Sequence, residues 1–199
     1  MRSASKKRCI VLVLLVLVLY GCGYGSWKET EQEVVTREPV QDNAVAKQSF
    51  KFKDFVVHVE AGFDIEARVL SSRRYFFGRE VKLAPVDLAL GWQQMSDRTV
   101  LDKMKIYQYG RWYFYRYDAP PISPKEIVNH SANMHLIPAT KELERKIKKA
   151  RRGNIVRFKG FLANLTADDG WYWNSSKSRA DTGDGSCEVV FVEEFELIE

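Results

Sequence analysis

From Ser49 onward, one segment after another sets apolar residues at alternate positions. "SFKFKDFVVHVEA" places Phe50 and Phe52 on one side and, after a shift at Asp54, Phe55, Val57 and Val59. "FDIEARVLSSRRYFF" repeats the pattern with Ile65, Ala67 and Val69. "IYQYGRWYFYRYD" puts Tyr113, Tyr115 and Tyr117 on one face and Trp112 and Phe114 on the other, with Gly110 as a turn between two strand pieces. "NIVRFKGFLANL", "WYWNSS" and "CEVVFVEEFELIE" complete the series. Alternation of aromatic and β-branched residues is the signature of strands with one buried face, so the body of this chain has to be built around sheet.

A few helices interrupt the strands. Ser123-Pro124-Lys125-Glu126 carries an N-cap, a proline at the first helical position and a glutamate at N3, the capping-box pattern. Thr140 opens a second helix, with Leu143, Ile147 and Ala150 on one face and Gly153 as its stop. "LAPVDLALGWQQMSDRTVLDKMK" reads as short helical or irregular structure, with Ala84, Leu88 and Trp92 on one helical face and Asp97 capping a turn. The expected class is therefore α+β: a mixed, mainly antiparallel sheet with a few helices. Residues 139–199, with a basic helix, a strand carrying Gly160 at its middle, a turn, a strand, a long loop and a last strand, resemble part of an OB-type barrel. That resemblance implies five strands, the missing ones lying upstream. The phrases "LAPVDLALGW", "NHSANMHLIPA" and "SRADTGDGSCE" resemble bacterial proteins of no assigned activity, and the resemblance implies none.

The start of the chain has a different texture. "MRSASKKR" is basic without an acid, and "CIVLVLLVLVLY" is apolar, a secretory-signal pattern with a run too short for an ordinary membrane span. Leu19-Tyr20-Gly21-Cys22 resembles the lipobox of bacterial lipoproteins, from which Tyr20 departs. That resemblance implies acylation of Cys22 as the mature N-terminus, and Gly23 after it implies the outer membrane in a Gram-negative cell. The alternative is an uncleaved anchor over residues 9–25. Either way the body faces the periplasm or cell envelope. Three sections follow: residues 1–21 as signal or anchor, 22–49 as lipidated terminus and polar tether, and 50–199 as one globular domain.

This division changes how charge and cysteine content are read. The whole chain is +5, but Arg2, Lys6, Lys7 and Arg8 supply four of those charges, so the remainder is +1 and gives no reason to expect nucleic acid as a partner. Of three cysteines only Cys187 remains in the body, so no internal disulfide is available and stability must come from burial.

Candidate chemistry is sparse. Asn129 to His135 groups His130, Ser131 and His135 with amides, but a separation of five positions between the imidazoles is poor spacing for one helical face, and no metal motif is present. The competing reading is a helix C-terminus satisfied by Asn and His side chains. Cys187 is a candidate nucleophile with His130 or His135 as base, although it alternates with Val189 and Phe191 on a buried face. Asp181 and Asp184 sit in a glycine-rich loop without the spacing of a calcium site. His58 is expected on the surface of its strand. The strongest binding signal is basic: Arg145, Lys149 and Arg152 fall at i, i+4, i+7, opposite the apolar stripe of the second helix. Outside the cytoplasm such a face suits anionic lipid or a cell-wall polymer; an envelope protein is the other partner considered. No cofactor is expected. Two functions follow: a membrane-anchored envelope lipoprotein that binds another envelope component, or an envelope enzyme, hydrolase-like, using His130 and His135.

Overall fold

The computed structural model describes residues 34–178 and 186–198. The chain enters at Val35, which is buried and donates its N–H to Ser96 Oγ at 2.9 Å. Residues 34–48, expected in the tether, thus belong to the domain, and β1 (Val40–Asp42) pairs with the sheet. β2 (Ser49–Phe52) turns at Lys53 into β3 (Phe55–Arg74), a single strand of 20 residues where two were expected.

β4 (Val86–Gly91) follows. This is a correction: the stretch expected to be helical is a strand buried at every position, so Ala84, Leu88 and Trp92 share no helical face. A four-residue helix, α1 (Arg98–Leu101), is capped as expected by Asp97, whose side chain accepts from the Thr99 N–H at 2.7 Å. β5 (Lys105–Tyr109) and β6 (Trp112–Arg116) form a separate hairpin. α2 (Pro124–Asn129) carries the complete capping box. It gives way at His130 to β7 (Ser131–Pro138), where the sequence pattern favoured only a helix end. α3 (Lys141–Ile147) is capped by Thr140 and stops at Lys148, short of the expected end at Gly153. β8 (Ile155–Thr166), β9 (Tyr172–Trp173) and β10 (Glu188–Ile198) complete the chain.

Eight strands make one mixed, mainly antiparallel sheet. Within it pairing passes from β3 to β4, β7, β10 and β8, and β8 pairs again with β3. β7 and β10 are parallel; the other contacts are antiparallel. α3 lies in the chain between β7 and β8. Residues 139–199 supply only β8 and β10 of the five. The sheet is not a closed barrel. β10 pairs with β7 only over Glu188–Val192, then a register shift carries its second half away along β8. α3 packs against β7 and β10, adding Leu143 and Ile147 to the central core, and Ala150 joins them from the chain just past the helix. Burial of that core, without any disulfide among the described residues, carries the fold.

β3 shifts partners at Arg68, which pairs with Ile155 on one side and Gly91 on the other. Its guanidinium is buried and donates to the carbonyls of Ser96 and Gly153 at 2.8 and 2.9 Å, tying together the loops at that end.

A candidate binding site on the outer face of β4 and β7

In β4 and β7, Leu88, Met134 and Leu136 point into the central core, so alternation sends Asp87, Asn133 and His135 to the outer face. Register places Asp87 directly across from His135 and Ala89 across from Asn133. Asp87 is a fully buried carboxylate in an otherwise apolar strand. His135 Nδ1 stands 3.0 Å from its Oδ1.

The hairpin of β5 and β6 supplies the cation. Its two-residue turn is Gly110-Arg111, both with positive φ, the geometry that matches strand twist. Arginine is uncommon in that conformation, and here the residue is held from several directions. Nη1 donates to Asp87 Oδ1 at 2.9 Å and Nη2 to the Ala84 carbonyl at 3.0 Å. The backbone N–H donates to Tyr75 Oη at 3.1 Å, and the carbonyl accepts from Asn133 Nδ2 at 3.0 Å. The guanidinium lies 4.2 Å from the Tyr75 ring centre and 5.4 Å from that of Trp173. Trp173 also packs on the His135 ring at 4.8 Å. Gln108 extends the network by donating to Asn133 Oδ1 at 2.7 Å.

Burial first, then the Asp87 carboxylate, push the Tyr75 phenol well above its ordinary range, so it stays neutral. Asp87 itself is compensated by Arg111, as a buried charge must be. Three polar atoms of the cluster, Asp87 Oδ2, Gln108 Oε1 and His135 Nδ1, are buried without a well-formed hydrogen bond, although the Tyr75 hydroxyl is turned to the Asp87 carboxylate. Most buried polar atoms in folded proteins are satisfied, so a cluster with spare polar atoms offers more polar capacity than folding requires.

The residues expected to carry chemistry are dispersed. His130 is the C-cap of α2, while His135 lies five strand residues further on, about 16 Å at the rise of an extended chain. The two imidazoles do not form one site. Ser131 Oγ gives its proton to the Ile127 carbonyl at 2.6 Å and so accepts from Tyr113 Oη at 3.0 Å; it joins the helix to the hairpin. Cys187 comes close to the cluster: Asn133 Nδ2 donates to its Sγ at 3.6 Å. The basic triplet does not share a helical face. Arg145 is exposed on α3, Lys149 is exposed beyond the helix end, and Arg152 is half-buried. Cys22, Arg179, Asp181 and Asp184 lie outside the described residues.

His58 sits on its strand surface as expected, bonded to Ser49 Oγ at 2.8 Å and Thr166 Oγ1 at 2.9 Å, beside an open depression of about 440 Å³. Sequence reasoning missed Asp87, Arg111 and Tyr75. The available signal was an acid alone in an apolar run, "LAPVDLALGW". Among the described residues no group of three or more His, Cys, Asp or Glu is placed to hold a metal ion, and no helix is long and apolar enough to cross a membrane. Comparison with known protein families, curated proteins and solved structures returns no match.

Proposed function

We propose that this chain is a membrane-anchored envelope lipoprotein whose domain binds another envelope component on the outer face of β4 and β7. The observation that carries the binding half is the Asp87–His135–Arg111 cluster, a buried arrangement of opposite charges with spare polar atoms and an aromatic rim. Isolated buried charges cost stability, and an apolar strand pair would close this face at less cost. The anchoring half rests on the basic and apolar N-terminus and on Cys22. Arg145 and Lys149 are exposed on the same domain and suit an anionic surface.

The test is site-directed photocrosslinking in cells that make the full chain. Benzoylphenylalanine in place of Trp173, at the rim of the cluster, should capture one discrete envelope component. The same probe in place of Tyr172, the exposed neighbour on the other side of β9, should not. Equal, diffuse labelling from both positions would refute a site on this face.

A second reading, the hydrolase-like envelope enzyme, is favoured by one observation. Asp87 and His135 form a carboxylate–imidazole pair of the kind that orients a general base, with Cys187 immediately before the adjacent strand β10. It differs from the expected enzyme in using Asp87 in place of His130. Under this reading Cys187 alkylates rapidly in wild type and slowly in Asp87→Asn; under the binding reading the two rates match.

A further inference from the structure

The segment between β3 and β4 reads Arg73-Arg74-Tyr75-Phe76-Phe77-Gly78-Arg79. Phe76 is 77 % exposed and Phe77 92 %, at a loop tip. Scattered apolar residues on a surface need no explanation, but two adjacent aromatic rings standing free of the fold do.

The loop beneath them is clamped. Tyr75 N–H donates to the Pro85 carbonyl at 3.0 Å, and the Tyr75 ring lies under Arg111. Gly78, at φ +104°, makes the turn back. Arg79 grips Asp169 through both nitrogens, at 2.6 and 2.9 Å, and stacks on Trp171 at 4.9 Å. Leu83 and Ala84 are fully buried. The backbone therefore presents the two rings outward from a fixed base, and their exposure is a feature of the folded loop.

Cations lie at the base of this loop, with Arg73 turned onto the hairpin, where it donates to the Gln108 carbonyl at 2.7 Å, and one carboxylate, that of Glu80, lies against Gly78 at the turn. Arg74 Nη2 donates to the Lys148 carbonyl, which also accepts from Arg151 Nη1, so the base of the loop meets the chain just past α3. Among the described residues Arg73, Arg74, Lys149 and Arg151 form no ion pair with a carboxylate. A protruding aromatic tip with an excess of cations over carboxylates at its base matches the interfacial zone of an anionic bilayer, where rings enter the headgroup boundary and cations meet phosphates.

We propose that Phe76 and Phe77 form a wedge that enters an anionic lipid surface, with Arg73, Arg74, Lys149 and Arg151 on the headgroups. It adjoins the binding face on β4 and β7 through Tyr75 but uses other side chains. It is also compatible with an N-terminal anchor. The chain enters the domain beside Ser96, at the far end of β4, about 20 Å along that strand from the base of the loop. The chain from Cys22 to Val34 reaches up to about 40 Å when extended, enough for anchor and wedge to meet one bilayer.

The experiment places benzoylphenylalanine at Phe77, and separately at half-exposed Val40 as control, in the full chain reconstituted with phosphatidylglycerol-containing or purely phosphatidylcholine vesicles. Co-flotation reads attachment of the chain, and lipid adducts read the wedge. The expected result is at least about tenfold more lipid adduct from position 77 in anionic than in neutral vesicles, corresponding to the loss of one to two charge contacts in the neutral ones, with little adduct from position 40 in either. Lys149→Gln, at an exposed side chain, should lower the adduct at position 77 without altering the melting temperature. A chain that floats but gives no excess adduct at position 77 overturns the wedge and leaves the anchor standing. Equal adduct in neutral vesicles overturns the role of the cations. Adducts in cells to protein instead of lipid overturn the membrane assignment.

Discussion

Gly160 lies at the middle of β8, paired on one side with Phe63 of β3 and on the other with Val192 of β10. Directly opposite, β10 accommodates an extra residue between Val192 and Glu194. The Phe191 carbonyl leans into the space a side chain at 160 would occupy: a Cβ there would lie 1.9 Å from that oxygen and 2.9 Å from its carbon. These are backbone atoms and cannot swing away. Phe191 is further fixed by edge-on contacts of its ring with Phe50 and Phe52, each 5.1 Å between centres. Gly160→Ala must therefore open the β8–β10 contact at the irregularity. Loss of about two ladder hydrogen bonds at ~1 kcal/mol each, with backbone strain of ~1–3 kcal/mol, gives about 3–5 kcal/mol. For a domain of this size the melting temperature should fall by roughly 8–15 °C. Urea and thermal unfolding of Gly160→Ala and Gly160→Val measure it, with valine the worse of the two. An alanine variant within about 0.5 kcal/mol of wild type would refute the reasoning, because a contact that close cannot be relieved so cheaply.

Other outcomes follow from local features. Ser123→Ala removes the side chain that accepts from the Glu126 N–H at 3.2 Å and should cost about 1 kcal/mol in urea unfolding. Glu60, Glu126 and Asp169 all titrate below their ordinary values. For Glu60 burial works upward, but Lys177 and Lys47 outweigh it; for Glu126 the Ser123 hydroxyl acts first, and for Asp169 the Arg79 guanidinium. Groups with a lowered folded pKa contribute stability above their unfolded value and lose it as pH falls through the folded one. Stability should thus decline below about pH 4.5, and Glu60→Gln, the least exposed of the three, should flatten that decline in a pH series of unfolding curves. Cys22→Ser should abolish palmitate labelling and leave an unprocessed precursor by mass; normal labelling would reject the lipoprotein assignment.

What the sequence disclosed was whatever depends on near neighbours. The caps at Asp97, Ser123 and Thr140, the Gly110 turn and the alternating strands β2, β3, β5, β6, β8 and β10 all follow from residues within a few positions of one another. β4 escaped because it is buried on both faces. Its apolar run has no alternation, and such a run does not distinguish strand from helix. β7 escaped because its polar residues face a site, so "NHSANMH" looks like the end of a helix. The same cause hid the candidate site. His135 was singled out, but its partner Asp87 is brought across by strand register, and Arg111 by a hairpin folding over both strands. Pairing of distant segments is the part of the fold no local pattern encodes. The shorter α3 has a plainer origin: the chain past Lys148 turns so that Ala150 enters the core and the Gly153 N–H donates to the Val69 carbonyl at 2.8 Å.

The proposed function depends on the cluster beneath Trp173 more than on any other feature. Its most direct test is the crosslink from position 173 measured again in the His135→Gln chain, with hydrogen exchange of β3, β8 and β10 recorded on the same sample. Glutamine keeps polarity at that position while removing the imidazole between Asp87 and Trp173. The account predicts that the discrete adduct falls at least about tenfold, equivalent to losing ~1.4 kcal/mol of binding, while the core amides remain protected. An undiminished adduct from a fully folded His135→Gln chain would contradict it.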